Sequence, residues 1–298
     1  MDGSRKDAVL DQIPFIDTHH HLWDLDRFAP SWLEESEPLE NSLIDDYAPI
    51  RVPYQIEDLL LDFDGSSVVK SVHVQTGYAG LDPVDETQWL QNIADVHGFP
   101  HGIVAYTDLA AGSVEADLER HASFENLRGI RTFVQGEDLL EPAIVRGLAA
   151  MAHLDLTYDL STTWEGMEGA RKMADTNGNL RIILGHAGFP LARSTEYFKK
   201  WSGGMRLLAG AQNVTVKISG LGLADHSWST DSIRPWVLEV IEVFGVDRCM
   251  FGTNWPVDKL FSSYQRLVDS YRSIIADFSL EEQEKLLWRN AEWRYRLT

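Results

Sequence analysis

The sequence predicts an α/β fold, a (β/α)8 TIM barrel, and three observations carry that expectation. Eight strand-length apolar runs recur along the 298 residues. Amphipathic, helix-like segments separate most of them. No Gly-rich dinucleotide fingerprint follows any run, which counts against the runner-up, an open doubly wound sheet. Strands that alternate with helices build a parallel sheet, and eight such units suit one closed barrel.

In order, the runs are "PFIDTHHHLW", "VVKSVHVQTG", "HGIVAYTDL", "LRGIRTFV", "LTYDLST", "RIILGHAG", "VTVKISGL" and "RCMFGTNW". Each is rich in Val, Ile, Phe or Tyr and ends in Gly or polar residues, as strands do. Between them, "DETQWLQNIADVHG" sets Trp89, Ile93 and Val96 on one helical face. "PWVLEVIEVFG" does the same with Val237, Val240, Ile241 and Phe244. Gly98, Gly178 and Gly245 fall just past helical patterns, where a left-handed cap is expected. Ser279 to Glu282 reads as a capping box that opens a last helix.

One connection is long. About 30 residues separate the first run from the helix at "QIEDLLLDF", well above the usual handful. They carry Phe28, Trp32, Tyr47 and Tyr54 among acidic residues. In a barrel this loop opens on the C-terminal face and reads as a lid or pocket wall. A packing loop or subunit contact is the alternative. With no repeat, low-complexity tract or linker, residues 1–298 read as a single domain with an insertion at about 24–55.

The formal net charge of -20 repels phosphate backbones and anionic lipid, so neither nucleic acid nor membrane is an expected partner. The expected partner is a small-molecule substrate; association into a homo-oligomer is left open. The lone cysteine, Cys249, excludes an internal disulfide and a Cys-rich zinc site. It lies in an apolar run and reads as a small buried hydrophobe. The start "MDGSRKDAVLDQIPF" lacks a signal-peptide core, and no run approaches the roughly 20 apolar residues of a membrane span. The expectation is a cytoplasmic protein.

The chemistry concentrates in "IDTHHHLWD". In a regular strand Asp17, His19 and His21 share one face, and Thr18 and His20 the other. Two imidazoles two residues apart, near the C-terminal end of a barrel strand, can grip one metal ion or one water. The run is not HxHxDH: position 23 is Trp23, and no His follows Asp24. His186 closes the sixth run in "IILGHAGFP", as a residue at the barrel mouth would. Lys217 and Ser219 alternate with Val216 and Ile218 and so point into the barrel, where a lysine needs an acidic partner. Arg131, in "LRGIRTF", presents a planar fork suited to a substrate carboxylate or to an internal salt bridge.

"IDTHHHLWD", "GHAGFP", "VKISGL" and "MFGTNWPVD", in that order, resemble the amidohydrolase-related (amidohydrolase 2) family. The likeness is closest to its branch of sugar lactonases and 2-pyrone-4,6-dicarboxylate lactonase, and runs from Phe15 to about Leu297. The resemblance implies an amidohydrolase-like barrel that opens a small lactone, with or without a carboxylate, or a similar cyclic ester or amide with water. It also admits a decarboxylase or hydratase on the same barrel, and a non-catalytic binding protein stands as a third reading. His19 and His21 match the family's first-strand pair, His186 its sixth-strand histidine, and Arg131 its carboxylate-binding arginine.

Asn254 departs from the pattern, which places aspartate after Gly-Thr in strand eight. In the family that aspartate takes the proton from the attacking water. An amide has the same shape but cannot act as a base near neutral pH. "YDLST" brings no histidine and the fourth run no lysine, so larger ligand sets are incomplete. His19, His21 and His186 remain as ligands for one divalent metal, zinc by preference, with a place left for water. A metal-free site is equally open, and a histidine or Asp258 would then be the base. The expected catalytic set is His19, His21, His186 and Asn254, with Arg131, Lys217, Trp23 and Asp258 toward the substrate.

Overall fold

The computed structural model describes residues 13–34, 44, 46–77 and 82–297. All eight runs are strands of one sheet: β1 Phe15–His20, β2 Val68–Val74, β3 Gly102–Ala105, β4 Leu127–Thr132, β5 Thr157–Leu160, β6 Arg181–Leu184, β7 Val214–Ile218 and β8 Cys249–Phe251. Each strand pairs in parallel with the next. Closure comes just past β8. Trp255 bridges His20 in parallel, the Asn254 N–H donates to the His19 carbonyl at 2.7 Å, and the His21 N–H donates to the Trp255 carbonyl at 2.7 Å. The chain that carries Asn254 is thus stitched directly to the chain that carries the histidines.

The strands alternate with α1 Ile56–Phe63, α2 Pro83–His97, α3 Val114–Ala122, α4 Pro142–His153, α5 Met167–Thr176, α6 Thr195–Ala209, α7 Thr230–Phe244 and α8 Tyr264–Ile274. Local chemistry sets their ends. Asp82 caps α2 by accepting from the Val84 N–H, Pro83 supplies its first turn, and Gly98 ends it in the left-handed region at φ 76°. Ser229 caps α7, and Val237, Val240, Ile241 and Phe244 are all buried, as their spacing predicts. The Ser279 capping box opens a terminal helix, Leu280–Glu284.

Three helix readings need correction. On α2 the buried stripe is Val84, Leu90 and Ala94, while Val96 is 77% exposed. Thr87 bonds His121 of α3 at 2.9 Å and turns that stripe, not Val96, toward the sheet. Gly178 lies beyond Asn177, the residue that caps α5, and is not left-handed. Gly245 has a positive φ of 79° but an extended ψ of 155°.

Inside the barrel, Ile16, Val72, Val74, Val104, Ile183 and Met250 form one apolar layer, covered by Tyr295 and Leu297. The tail closes the end opposite the site: Lys70, early in β2, donates to the Leu297 carbonyl at 2.8 Å. The larger apolar shell packs the sheet against the helices. Cys249 is buried, its thiol 3.7 Å from the Val240 carbonyl. Among the described residues no helix is long and apolar enough to cross a membrane.

The long β1–α1 connection packs through its aromatic residues. Trp23 and Tyr54 exchange two backbone hydrogen bonds of 3.0 Å. Trp32 donates its indole N–H to the Thr76 carbonyl past β2 at 2.8 Å and touches Tyr47, and Phe28 stacks on Trp89. Positions 35–43 of the insertion and the start "MDGSRKDAVLDQ" lie outside the described residues.

Candidate active site

A β-bulge decides which histidines meet. Asp17 lies opposite Ser71 and His20 opposite His73, so β1 spends three steps where β2 spends two. The extra residue flips the pleat between Asp17 and His19. The simple alternation that put Asp17 beside His19 and His21 is therefore corrected. Asp17 turns outward and accepts from the Thr253 hydroxyl at 2.6 Å, the Thr253 N–H at 3.0 Å and the Tyr264 hydroxyl of α8 at 2.9 Å. Burial pushes its carboxyl up to about 6, against the pull of those bonds. His20 also faces outward, bonded to the Ser71 hydroxyl at 2.9 Å and set against Phe63 and His73.

His19 and His21 face inward, their ring centroids 5.0 Å apart, and His186 stands 4.3 Å from His19. His186 comes from a strained turn after β6. It sits at φ 48°, Ala187 at φ 51° and Phe189 at φ 48°, all left-handed without being glycine. Such residues cost about 1–3 kcal/mol each and persist only where the surroundings enforce them. Trp201 of α6 holds the turn by donating to the Ala187 carbonyl at 2.8 Å. Gly220, after β7, lies against the imidazole: a Cβ there would meet His186 Nδ1 at 2.5 Å.

All three imidazoles are buried and neutral. Burial, then the Arg131 charge, pushes His21 down to about 3. His19 and His186 are held well below the usual histidine range, again by burial first, with His186 and then Lys217 acting on His19 and Arg131 acting on His186. The proton on His21 is placed by its partner. Nδ1 lies 2.7 Å from the Val74 carbonyl, which can only accept, so Nδ1 carries the hydrogen and Nε2 keeps a lone pair. His186 Nδ1 bonds the Ser219 hydroxyl at 2.9 Å. Neither ring nitrogen of His19 has a hydrogen-bond partner, although the residue is 1% exposed.

Asn254 stands beside His21. Its backbone is left-handed at φ 60°, which asparagine tolerates better than most residues. Its Oδ1 lies 3.3 Å from His21 Nε2, and its amide N–H donates to Asp258 Oδ2 at 2.7 Å. Asp258 is buried, and burial pushes its carboxyl up to about 7, opposed by Asn254 and the Gly222 backbone.

Arg131 points inward from β4, donates to the Gln75 carbonyl and lies over Phe133 at 5.1 Å. Among the described residues no carboxylate lies within ion-pair distance of it, and its Nε has no partner. Burial lowers the guanidinium to about 10, offset by Asp159 and Glu86, so it stays charged at neutral pH. Lys217 does have a partner: its ammonium is 2.8 Å from Asp159, which also accepts from the Tyr295 hydroxyl at 2.8 Å. Trp23 is fully buried and donates its indole N–H to the Val52 carbonyl at 2.7 Å. Asp159, Gln75 and Glu86 escaped the sequence reading. Asp159 was detectable as the inward acid that Lys217 requires, whereas Gln75 and Glu86 carry no local signal.

The family model described as Amidohydrolase matches residues 16–297. This chain belongs to the amidohydrolase family. It is an enzyme, a hydrolase. The amidohydrolase is 40% identical over 300 residues to the uncharacterized protein y4mH of Sinorhizobium fredii, across 97% of this chain and 100% of that one. It is 29% identical over 255 residues to the L-fucono-1,5-lactonase of Burkholderia ambifaria, across 82% and 81% of the two chains. A crystal structure of an amidohydrolase from Burkholderia multivorans with bound zinc superposes with a TM-score of 0.82 at 24% identity, covering 96% of this chain and 100% of that one.

The amidohydrolase has donors whose chemistry suits a divalent cation. His19 offers two unpartnered buried nitrogens, and His21 and His186 each anchor one ring nitrogen to the protein, as metal-binding histidines do. As they stand, no group of three or more His, Cys, Asp or Glu among the described residues is gathered closely enough to hold a metal ion. A cavity of about 550 Å³ opens past the ends of β3 and β4, lined by Tyr106, Thr107, Thr132, Phe133, Asp138 and Glu141 among others; none of the three histidines lines it.

Proposed function

We propose that this amidohydrolase opens a small lactone, carboxylated or polyhydroxylated, by adding water across the ester. The observation that carries the reading is the buried cluster of three neutral imidazoles, His19, His21 and His186, near Arg131, which has no ion-pair partner among the described residues. The similarity to an L-fucono-1,5-lactonase supports it.

In this reading burial keeps the rings unprotonated, so a lone pair is available to the attacking water at neutral pH. Asn254 cannot take that proton. His21 Nε2 can, because its Nδ1–H is committed to the Val74 carbonyl. Water oxygen bonds to the carbonyl carbon while His21 takes a proton. The proton then passes to the ring oxygen as the C–O bond breaks, leaving a hydroxy acid. Arg131 holds a substrate carboxylate or the developing oxyanion. Lys217, neutralised by Asp159, keeps the barrel interior polar and rigid below the substrate.

Zinc fits the donor chemistry; His19, His21 and His186 would hold it, and it would polarise the carbonyl and acidify the water, in which case the His21 lone pair would be spent on the metal and His21 would not be the base. Asp258 and Trp23 then act on the substrate only through neighbours, since both polar ends are engaged or buried inside the fold.

The test is turnover of a panel of lactones, L-fucono-1,5-lactone included, above the uncatalysed rate and with product analysis. Ring opening lost on His21→Ala supports the reading. Release of carbon dioxide without ring opening would replace it with a decarboxylase.

A further inference from the structure

We propose that Asp258 is a positioning residue that sets, through the side-chain amide of Asn254, whether the Nε2 lone pair of His21 is free. The inference rests on the histidine cluster being the reacting centre.

The argument is a count of donors and acceptors. Val74 fixes the His21 proton on Nδ1, so Nε2 is an acceptor. Asn254 Oδ1, 3.3 Å away, is an acceptor too, so no hydrogen lies between them. That orientation is imposed from the other end, where the amide N–H donates to Asp258 Oδ2 at 2.7 Å. An ionised Asp258 can only accept, and it therefore pulls the N–H away from His21 and leaves the lone pair open.

A protonated Asp258 reverses the chain. Its O–H donates to Asn254 Oδ1, the amide turns over, and its N–H now points at His21 Nε2 and caps the lone pair. The two ends of an amide are nearly equal in shape, so the turn needs no backbone movement. Both side chains are buried: Asn254 is 3% and Asp258 1% exposed.

The surroundings leave Asp258 able to exist in both states. The Gly222 backbone presses on it from the loop after β7, where a Cβ would meet Oδ1 at 2.7 Å. From α8, Tyr271 feels the Asp258 charge, and its hydroxyl is spent on the Gly252 carbonyl at 3.1 Å. Lys259, next in the chain, turns its ammonium to Asp62 at 2.8 Å. Among the described residues no cation therefore pairs with Asp258, and its rise to about 7 places the exchange near neutral pH. An aspartate at position 254 would have no N–H to pass along, which is a reason for the amide.

Ring-nitrogen NMR of isotope-labelled histidine in the purified protein tests this without a substrate, so it stands apart from the lactone reading. The expected result is one step in the His21 Nε2 signal across neutrality, with the Nδ1–H signal unmoved. In Asp258→Asn, whose amide can donate permanently, that signal should stay at its acid-limb position. In Asn254→Ala the step should vanish and the lone pair should stay uncapped. A His21 step that persists unchanged in either variant, or a flat wild-type signal, overturns the proposal.

Discussion

The Asn254 side-chain amide donates to Asp258 Oδ2 at 2.7 Å, from a left-handed backbone beside His21. A carboxylate at position 254 would face Asp258 at that distance, and two like charges so close cannot both ionise. Asn254→Asp is therefore expected to raise one carboxyl of the pair further. A carboxyl whose folded pKa lies above its unfolded value stabilises the fold at low pH and loses that contribution as pH rises through the folded pKa. The Tm of Asn254→Asp should fall, relative to wild type, as pH rises through and above about 7. A parallel Tm–pH curve for the two proteins would refute the pairing. Asn254→Ala should lower kcat/KM by roughly 10- to 150-fold, the cost of about 1.5–3 kcal/mol for a lost charge-assisted hydrogen bond. Both variants are to be assayed with and without chelator.

Acid should destabilise the wild-type fold below the histidine range. Six buried histidines, His19, His20, His21, His73, His121 and His186, are pushed down chiefly by burial. Each binds its proton more readily when unfolded, so its contribution is lost as pH falls below about 6.5. Three carboxyls, Asp17, Glu86 and Asp258, are pushed up and act in the opposite sense between about 4 and about 7. The histidines outnumber them. The Tm should therefore drop steadily from pH 6.5 toward about 4. A Tm that rises over that window on calorimetry would show that the cluster is not buried neutral.

Arg131 should resist conservative exchange. A lysine supplies a point charge and no planar fork. If Arg131 grips a substrate carboxylate, Arg131→Lys and Arg131→Ala should both raise KM, by about 10-fold or more. A lysine variant with wild-type KM would assign the arginine to the fold instead.

Gly220 should be intolerant where Gly178 is not. At Gly220 the backbone is at φ 62° and a Cβ would meet His186 Nδ1 at 2.5 Å. Gly220→Ala should cost about 1 kcal/mol from the backbone alone, and the displaced imidazole should lower kcat as well. At Gly178 no atom lies within 4 Å of the added Cβ. Gly178→Ala should leave kcat unchanged and shift Tm little. Equal kcat losses in the two variants would remove His186 from the chemistry.

Much of the barrel was legible because its cause is local. Each strand is a short apolar run closed by glycine or polar residues, and all eight runs form the sheet. The bulge in β1 was not legible. Alternation read along "IDTHHHLW" assumes one residue per pleat, and the extra residue before His20 appears only in the pairing with β2. His19 and His21 still share a face because both lie beyond the slip; Asp17 lies before it. The partner of Lys217 was demanded by burial but located only by the closure of β5 against β7 through the barrel interior. The Asn254–Asp258 bond spans four residues, yet its chemical weight comes from burial by the Gly222 loop, which sequence spacing does not reveal.

The most direct measurement is the fate of solvent oxygen during turnover of L-fucono-1,5-lactone and related lactones in heavy-oxygen water. The account predicts ring opening above the spontaneous rate, one solvent oxygen in the product carboxylate, and loss of the enzymatic rate in His19→Ala and His21→Ala. Ring opening at the spontaneous rate for every lactone, or wild-type turnover in both variants, would contradict it.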